Sequence, residues 1–341
     1  MKLVEFVPPT PHPLWKLCLQ MGITDVVVKV LGCDPEKVIS DLAAAGLRVV
    51  GFEGDMFDMS PIKEYEENNR IIECLNNRMV KRGGEAGARD EAIEKYLSYL
   101  ETMARHDIRL LCYNFMVGTG WSRTGVREGR GGSKATYFSK AEYESSCAVS
   151  CNRTIEQSEQ SNNLILTAEQ VWANYEYFIR AVMPTAERLG IRMGLHPDDP
   201  CLPALGGFAR IFGSVEAYDR AYRLCPSESN AVTFCQANFK LMGADLDATA
   251  RHFGKRIAFV HIRDVEGTRE DFTELFHDQG TTDQFALMRT YRELGLDVPV
   301  RGDHVPEMEG DRRLTEDCVP GYFTLGRLFA DGYLKAILAG I

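Results

Sequence analysis

The chain has 341 residues, of which 45% are hydrophobic and 26% are charged, the balance of an ordinary globular protein. Asp and Glu number 49 against 39 Lys and Arg, so the net charge is −10 and the chain repels nucleic-acid phosphates. No apolar run is long enough to cross a membrane, and Glu5 interrupts the apolar start that a secretory signal would need. We therefore expect neither nucleic acid nor a membrane as a partner.

Eight short runs rich in β-branched or apolar residues alternate with segments of helical periodicity. The runs are residues 3–7, 25–30, 48–53, 109–115, 192–196, 231–235, 258–263 and 298–303. This alternation predicts an α/β fold, a (β/α)8 TIM barrel that forms a single domain over residues 1–341. A doubly wound open sheet alternates in a similar way, but no Gly-x-Gly-x-x-Gly turn follows any of the runs.

Helix-capping signals support this reading. Asp34 is a candidate N-cap for a helix over residues 35–46. The segment 167–189 opens with Thr167-Ala-Glu-Gln170, a capping-box pattern, and Pro184 inside it predicts a kink or a second helix. Further helices are predicted over residues 90–106, 215–224, 244–253, 283–294 and 325–338.

Residues 117–163 are polar, rich in Gly, Ser and Arg, and too long for a plain βα connection. They follow the fourth predicted strand, so in a barrel they lie on the C-terminal face, where active sites form. We interpret the segment as an inserted loop that acts as a lid or a subunit contact. A disordered surface insertion is the alternative for residues 142–163.

The last four predicted strands each end in a residue type that binds metal ions. These residues are His196, Cys235, His261 and Asp303. Because the C-terminal ends of barrel strands share one rim, the four side chains are expected to converge near the barrel axis. Two imidazoles, a thiolate and a carboxylate suit Zn²⁺, Fe²⁺, Co²⁺ or Mn²⁺ rather than Mg²⁺ or Ca²⁺.

Other polar residues lie beside this set. Asp198 and Asp199 directly follow the first candidate ligand and could orient its imidazole. Arg263, two residues after the third candidate ligand, points to the same side of its strand and could hold a substrate carboxylate with two hydrogen bonds. His304 could transfer protons near neutral pH. Further candidates for substrate binding are Asn114, Trp121 and Arg123.

Several segments share one family resemblance. They are residues 112–116 (Cys-Tyr-Asn-Phe-Met), 121–124 (Trp-Ser-Arg-Thr), 132–135 (Gly-Ser-Lys-Ala), 196–200 (His-Pro-Asp-Asp-Pro), 232–235 (Val-Thr-Phe-Cys), 259–263 (Phe-Val-His-Ile-Arg), 272–283 (Phe-x-Glu-x-x-His-x-x-Gly-x-x-Asp), 301–304 (Arg-Gly-Asp-His) and 320–327 (Pro-Gly-Tyr-x-x-x-Gly-Arg). Together they resemble the mannonate dehydratase family, most specifically between residues 109 and 328.

The resemblance implies a TIM barrel and a Mn²⁺- or Fe²⁺-dependent dehydration of D-mannonate to 2-keto-3-deoxy-D-gluconate. It implies that the four strand-end residues hold the metal and that His304 and Tyr322 are the acid–base pair. Asp198 and His277, which lie in the shared segments, are further candidates for substrate binding. The resemblance also implies a cytoplasmic enzyme of hexuronate catabolism that acts on a small sugar acid. A homo-oligomer is a further expectation.

The chain departs from the family pattern in its early segments. Residues 117–120 read Val-Gly-Thr-Gly where the family has Pro-Val and an acidic residue, and residues 52–57 (Phe-Glu-Gly-Asp-Met-Phe) contain no counterpart of a family His. Residues 6–9 (Phe-Val-Pro-Pro) replace a Trp-Tyr-Gly-Pro pattern. Three alternatives therefore stay open: a dehydratase of another aldonic acid, a metal-dependent sugar isomerase or epimerase on the same barrel, and a catalytically silent sugar-acid binder.

Overall fold

The computed structural model describes residues 1–30, 32–54, 80–81, 83, 86–117, 120–145, 148–150, 153–155, 166–206, 208–314 and 318–341. Within these residues, no helix is both long enough and apolar enough to span a membrane.

Eight parallel strands form the predicted barrel, and the first of them is split into two short pieces. In chain order the barrel strands are Lys2–Leu3 with Glu5–Val7, Asp25–Val28, Arg48–Glu53, Leu110–Tyr113, Arg192–Leu195, Asn230–Cys235, Ile257–Ile262 and Pro299–Gly302. The sheet closes because Lys2–Leu3 pairs with Pro299–Gly302 while Glu5–Val7 pairs with Asp25–Val28. The barrel is confirmed, and the doubly wound alternative is wrong.

Side-chain alternation divides each strand between the barrel interior and the surrounding helices. In the second strand, Val27 faces an interior cluster that also contains Val4 and Phe259, while Val26 and Val28 pack in the larger outer core. Both environments exclude water, so the strand is apolar almost throughout, as in other parallel barrels.

Helices follow most of the strands and cover the barrel. They are Pro13–Gln20, Pro35–Ala44, Ala86–Arg105, Lys140–Ser145, Ala168–Leu189, Val215–Leu224, Gln236–Leu241, Leu246–Phe253, Gln284–Glu293, Asp311–Leu314 and Thr324–Gly340. Asp34 accepts a hydrogen bond from the backbone N–H of Glu36, which confirms it as an N-cap. Ala168–Leu189 runs through Pro184 as one helix, so the alternative of a second helix is wrong.

The capping box at the start of the helix Ala168–Leu189 is expected to contribute to the free energy of unfolding. Thr167 accepts from the N–H of Gln170, whose side chain accepts from the N–H of Thr167. Thr167→Ala removes the acceptor and is expected to lower the free energy of unfolding by about 1 kcal/mol. Urea denaturation measures this change. Thr167→Ser, which keeps the hydroxyl, serves as the control, and an equal loss in both variants would contradict the capping role.

The segment after the fourth strand is built of β-structure rather than being a plain loop. Gly125–Glu128 and Lys134–Ser139 pair antiparallel, and Lys134–Ser139 also pairs with Asp271–Glu274. Asp271–Glu274 in turn forms a hairpin with Val265–Thr268, directly after the seventh barrel strand. The insertion and this hairpin therefore form one four-stranded sheet.

Part of the insertion lies outside the described residues. Its other described elements include the strand Ala148–Ser150, which pairs with both Ser122–Arg123 and Arg153–Ile155. A 3-10 turn at Arg130–Gly132 and the helix Lys140–Ser145 complete the described part. The alternative, a disordered surface insertion, concerns residues 142–163. Of these, residues 146–147, 151–152 and 156–163 lie outside the described ranges. A lid or subunit contact stays a prediction.

Candidate metal centre and acid–base pair

The four strand-end residues converge at one rim of the barrel, as their spacing predicts. His196, Cys235, His261 and Asp303 each offer a ligand atom, and these atoms all lie within 4.8 Å of one another. The imidazole centroids of His196 and His261 are 5.0 Å apart, and Cys235 Sγ lies 4.0 Å from Asp303 Oδ2. The arrangement is that of an N, S, N, O donor set.

The parallel register of the barrel produces this convergence. Cys235 and His261 are direct partners across the sixth and seventh strands. His196 immediately follows the fifth strand, and Asp303 immediately follows the eighth. Each donor thus stands on a rigid strand or directly after one, which fixes its position better than a loop would.

The orphaned nitrogens of His261 fit a metal ion. The residue is 1% exposed, and among the residues that the structure describes neither its Nδ1 nor its Nε2 has a hydrogen-bond partner. A buried polar atom without a partner costs free energy, and metal coordination would remove that cost. Burial lowers the pKa of His261 well below its ordinary value, so the ring is neutral and can act as a ligand.

The charge balance around the donors also fits a cation. Among the described residues around the donors, four carboxylates and three guanidiniums contact the donors or one another, which leaves one negative charge in excess. These groups are Glu53, Asp199, Glu274, Asp303, Arg123, Arg263 and Arg301. Burial raises the pKa of the Cys235 thiol to about 12, so the thiolate needs a positive partner to form. Its ionisation would bring the excess to two, the charge of a divalent ion.

The imidazole of His196 is oriented by the backbone. Its Nδ1 lies 2.8 Å from the carbonyl oxygen of Pro197, which leaves Nε2 as the free ligand atom. The expectation that Asp198 or Asp199 orients this ring is therefore wrong. Asp198 is buried and accepts a 2.7 Å hydrogen bond from the N–H of Phe212. That carboxylate supports a loop and is not placed to bind substrate.

The sequence reasoning missed Glu53, which lies on the other side of His261. Glu53 Oε1 is 3.6 Å from His261 Nε2, and Glu53, Cys112 and His261 form a second, three-residue donor group. Arg301 pairs with Glu53 through two hydrogen bonds, and its Nη2 lies 3.0 Å from Asp303 Oδ1. A carboxylate at the end of the otherwise apolar run 49–53 is the signal that could have identified it.

A buried cluster of oppositely charged side chains lies next to the donor set. Asp199 and Glu274 each accept hydrogen bonds from both Arg123 and Arg263. These four side chains are at most 1% exposed. The two guanidiniums hold the pKa of Glu274 at about 2 although burial alone would raise it. The cluster joins the insertion, the loop after strand five, the end of strand seven and the hairpin.

This cluster corrects two predicted substrate contacts. All five N–H hydrogens of Arg123 have partners, namely Asp199, Glu274 and the carbonyl oxygen of Ser122. Arg263 uses four of its five hydrogens on Glu274, Asp199 and Asn238. Arg123 is thus not free to bind substrate, and Arg263 cannot hold a carboxylate through two hydrogen bonds as predicted.

His304 and Tyr322 lie together beside the donor set. Their side chains are 3.1 Å apart between Nε2 and the phenol oxygen, and Trp121 packs on the imidazole with ring centroids 4.8 Å apart. Burial and the charge of Asp303 raise the pKa of Tyr322 well above its usual range. The phenol therefore keeps its proton.

The first and last barrel elements position Tyr322. Arg327 donates to the Glu5 carboxylate at 2.7 Å and to the carbonyl oxygen of Tyr322 at 3.3 Å. The ring of Phe6 packs against Tyr322 from the first strand at 5.8 Å between centroids.

Asn114 and His277 differ in their suitability for substrate binding. Asn114 directly follows the fourth strand, and its Oδ1 accepts from Lys81 Nζ at 3.3 Å and from the N–H of Met116. His277 is buried, its Nε2 lies 2.7 Å from the carbonyl oxygen of Ile262, and it packs behind Gly302. The predicted role of His277 in substrate binding is therefore wrong, since its ring supports strands seven and eight from outside.

Comparison with known proteins agrees with this geometry. Residues 51–341 match the D-mannonate dehydratase (UxuA) family. Mannonate dehydratase 1 of Bacillus licheniformis is 32% identical over 294 residues, which cover 78% of each chain. The mannonate dehydratase of Bacillus subtilis is 28% identical over 303 residues, which cover 81% of each chain.

Solved structures give the same result for the whole fold. The crystal structure of mannonate dehydratase from Streptococcus suis serotype 2 superposes with a TM-score of 0.80 at 26% identity, covering 99% of this chain and 93% of that one. An L-ribulose 3-epimerase superposes with a TM-score of 0.58 at 11% identity, covering 100% and 95%. The second likeness shows the shared barrel alone.

Proposed function

Because the chain belongs to the mannonate dehydratase family, we propose that it removes water from D-mannonate to give 2-keto-3-deoxy-D-gluconate. The observation that carries this proposal is the convergence of four metal-binding side chains beside a hydrogen-bonded His–Tyr pair. The reaction is a hydro-lyase reaction, since the C2 proton and the C3 hydroxyl leave together as water.

We propose that His196, Cys235, His261 and Asp303 hold Mn²⁺ or Fe²⁺. The mixed donor set favours a transition metal over Mg²⁺ or Ca²⁺. When bound, such an ion stabilises the negative charge that develops at the carboxylate end of an aldonic acid as the C2 proton leaves. Arg301 Nη2 lies 3.0 Å from Asp303 Oδ1, and this ion pair orients the carboxylate.

Proton transfer falls to His304 and Tyr322. One of the two takes the C2 proton and the other protonates the departing C3 hydroxyl, because hydroxide is a poor leaving group without a proton. Trp121 packs on His304 and covers the pair from the insertion, which excludes water from the reacting carbons. Asn114 and Trp121 are the proposed substrate contacts that the geometry still supports.

The proposal is tested by incubating Mn²⁺-loaded protein with a panel of hexonates and pentonates and measuring the products by mass. We expect D-mannonate to yield a 2-keto-3-deoxy acid one water lighter, and protein treated with a chelator to yield none. Conversion of another aldonate alone would keep the chemistry and change the substrate. A product of unchanged mass would instead identify an isomerase or epimerase, and no conversion of any acid would identify a silent binder.

The family resemblance also supports a proposal for the setting of the reaction. A small sugar acid is the proposed ligand, and catabolism of hexuronates in the cytoplasm is the proposed setting. A homo-oligomer remains a prediction, for which sedimentation of the full chain is the test.

A further inference from the structure

The carboxyl group of Asp331 is buried in the last helix, Thr324–Gly340, away from the candidate metal centre. Its side chain is fully buried, and among the described residues neither of its oxygens has a hydrogen-bond partner. An ionised carboxylate in this position would be costly, because nothing replaces the hydrogen bonds that water would give it. The proposed proton transfer does not use this group, so its role needs a separate explanation.

Titratable side chains from three elements face Asp331. They are Glu5 from the first strand, Cys18 from the helix Pro13–Gln20, and Arg327 and Lys335 from its own helix. Burial and the neighbouring charge of Glu5 raise the pKa of Asp331 well above its ordinary value. Lys335 Nζ donates to the carbonyl oxygen of Met21 instead of pairing with Asp331.

The hydrogen bonds of Glu5 show which carboxyl group of the two is ionised. Glu5 Oε1 accepts from the N–H of Phe6 at 2.6 Å and from Arg327 at 2.7 Å and 3.2 Å. N–H donors favour the charged form of a carboxylate, and adjacent carboxylates disfavour a second charge. Two carboxylates also present only acceptors to each other, so a bond between them requires a proton on one. Asp331, which receives no N–H donor, is the member that carries it.

We infer that Asp331 is a positioning residue that keeps its proton in the folded protein, donates it to Glu5, and thereby holds the support of Tyr322 in place. The role of Tyr322 rests on the proposed function, whereas the proton on Asp331 does not. Glu5 supports Tyr322 in two ways. Arg327 donates to the carbonyl oxygen of Tyr322 at 3.3 Å, and the ring of Phe6 packs on the phenol at 5.8 Å between centroids.

Loss of the proton would disturb this support. Two buried negative charges would then share one guanidinium, and Arg327 would be drawn from the Tyr322 carbonyl towards Asp331. Cys318 Sγ, which donates to the same carbonyl oxygen at 2.8 Å, would hold that end of the loop without the arginine. The placement of the tyrosine at the rim therefore depends on a proton held between the first strand and the last helix.

Unfolding measured against pH tests the proton. Unfolding of the parent releases the proton of Asp331, whereas Asp331→Asn has none to release from this position. We expect the ratio of the two unfolding constants, parent over variant, to rise by about tenfold per pH unit between about pH 5 and 8. Urea titrations at equal Mn²⁺ measure it, since metal binding then affects both proteins alike. A ratio independent of pH would show that folded Asp331 is ionised and would overturn the inference.

Asp107→Asn is the matched control for the unfolding experiment. Its side chain is 88% exposed, and its positive φ suits Asn as well as Asp. The ratio of unfolding constants for this variant should stay flat over the same pH range.

Kinetics at neutral pH tests the positioning role in the Mn²⁺-loaded protein. Asp331→Leu keeps the approximate shape of the side chain without a donor, and we expect kcat to fall by about tenfold or more with bound metal unchanged, because a misplaced catalytic group can cost about 10²-fold. Asp331→Asn keeps an N–H donor towards Glu5 and should retain most of the turnover. A parental kcat in Asp331→Leu would overturn the positioning role.

Two further measurements apply if Asp331→Leu folds poorly. The ratio of parental kcat to that of Asp331→Asn should fall at alkaline pH, since the titrations of the metal site and of Tyr322 occur in both proteins; a constant ratio would overturn the positioning role. Infrared spectra with ¹³C-labelled aspartate should show, at neutral pH, a protonated carboxyl band that Asp331→Asn lacks, and its absence from the parent would overturn the inference. Failure of the parent to dehydrate any acid would contradict the proposed function and leave the unfolding and infrared results to decide the proton.

Discussion

Tyr322→Phe is expected to lower turnover of the Mn²⁺-loaded protein by about 10² to 10⁴-fold, the contribution typical of a general acid. The substitution removes only the hydroxyl, which lies 3.1 Å from His304 Nε2. The ring contacts with Phe6 and Trp121 can persist, so we expect bound metal and thermal stability to stay near those of the parent. Steady-state kinetics beside metal analysis measures the effect.

Tyr175→Phe is the matched control for this prediction. Its hydroxyl is also buried and lies 3.2 Å from the hydroxyl of Tyr113, in the outer core and not among the donors. The control should lose some stability and keep its turnover. His304→Asn should match Tyr322→Phe in losing turnover with metal retained. Near-parental rates in either variant would exclude that residue from the mechanism.

Cys235→Ala is expected to abolish stoichiometric metal binding. Loss of a partner that merely orients a ligand weakens metal affinity by roughly 10 to 100-fold, so loss of a ligand should cost at least that much. The remaining His, His and Asp donors would carry less negative charge to balance the ion. Metal analysis after gel filtration gives the stoichiometry, and thiolate charge-transfer absorption of the Co²⁺-loaded parent, absent in the variant, identifies the sulfur ligand.

Two other cysteines make this prediction specific. Cys18→Ala removes a buried thiol from the outer core and should leave metal binding unchanged. Cys112 belongs to the alternative donor group with Glu53 and His261. Retention of metal in Cys235→Ala together with its loss in Cys112→Ala would move the site to that group. The four-donor site is favoured because the Glu53 carboxylate already accepts two hydrogen bonds from Arg301.

Strand-end positions were predictable because they depend on short-range sequence patterns. Parallel barrel strands bring their C-terminal ends to one rim, so His196, Cys235, His261 and Asp303 could be placed together before any contact was known. The resemblance added Tyr322, which follows no strand and whose place depends on the final loop.

The charged cluster was not predictable in the same way. Glu274 reaches His304 only because its hairpin pairs with a strand of the insertion, more than 130 residues earlier in the chain. Arg123 and Arg263 were expected to bind substrate, Arg263 through a carboxylate, yet in the folded protein both pair with the carboxylates of Asp199 and Glu274. Pairing between distant segments decides which charged groups remain free, and strand periodicity carries no information about it.

The order of the strands has a consequence for biosynthesis. The four candidate ligands enter the chain between residues 196 and 303, and the last stands on the strand that closes the barrel against the N-terminal one. While the ribosome is still making the first half, the nascent polypeptide holds none of them. The four-residue donor set is therefore complete only after the last barrel strand has been made.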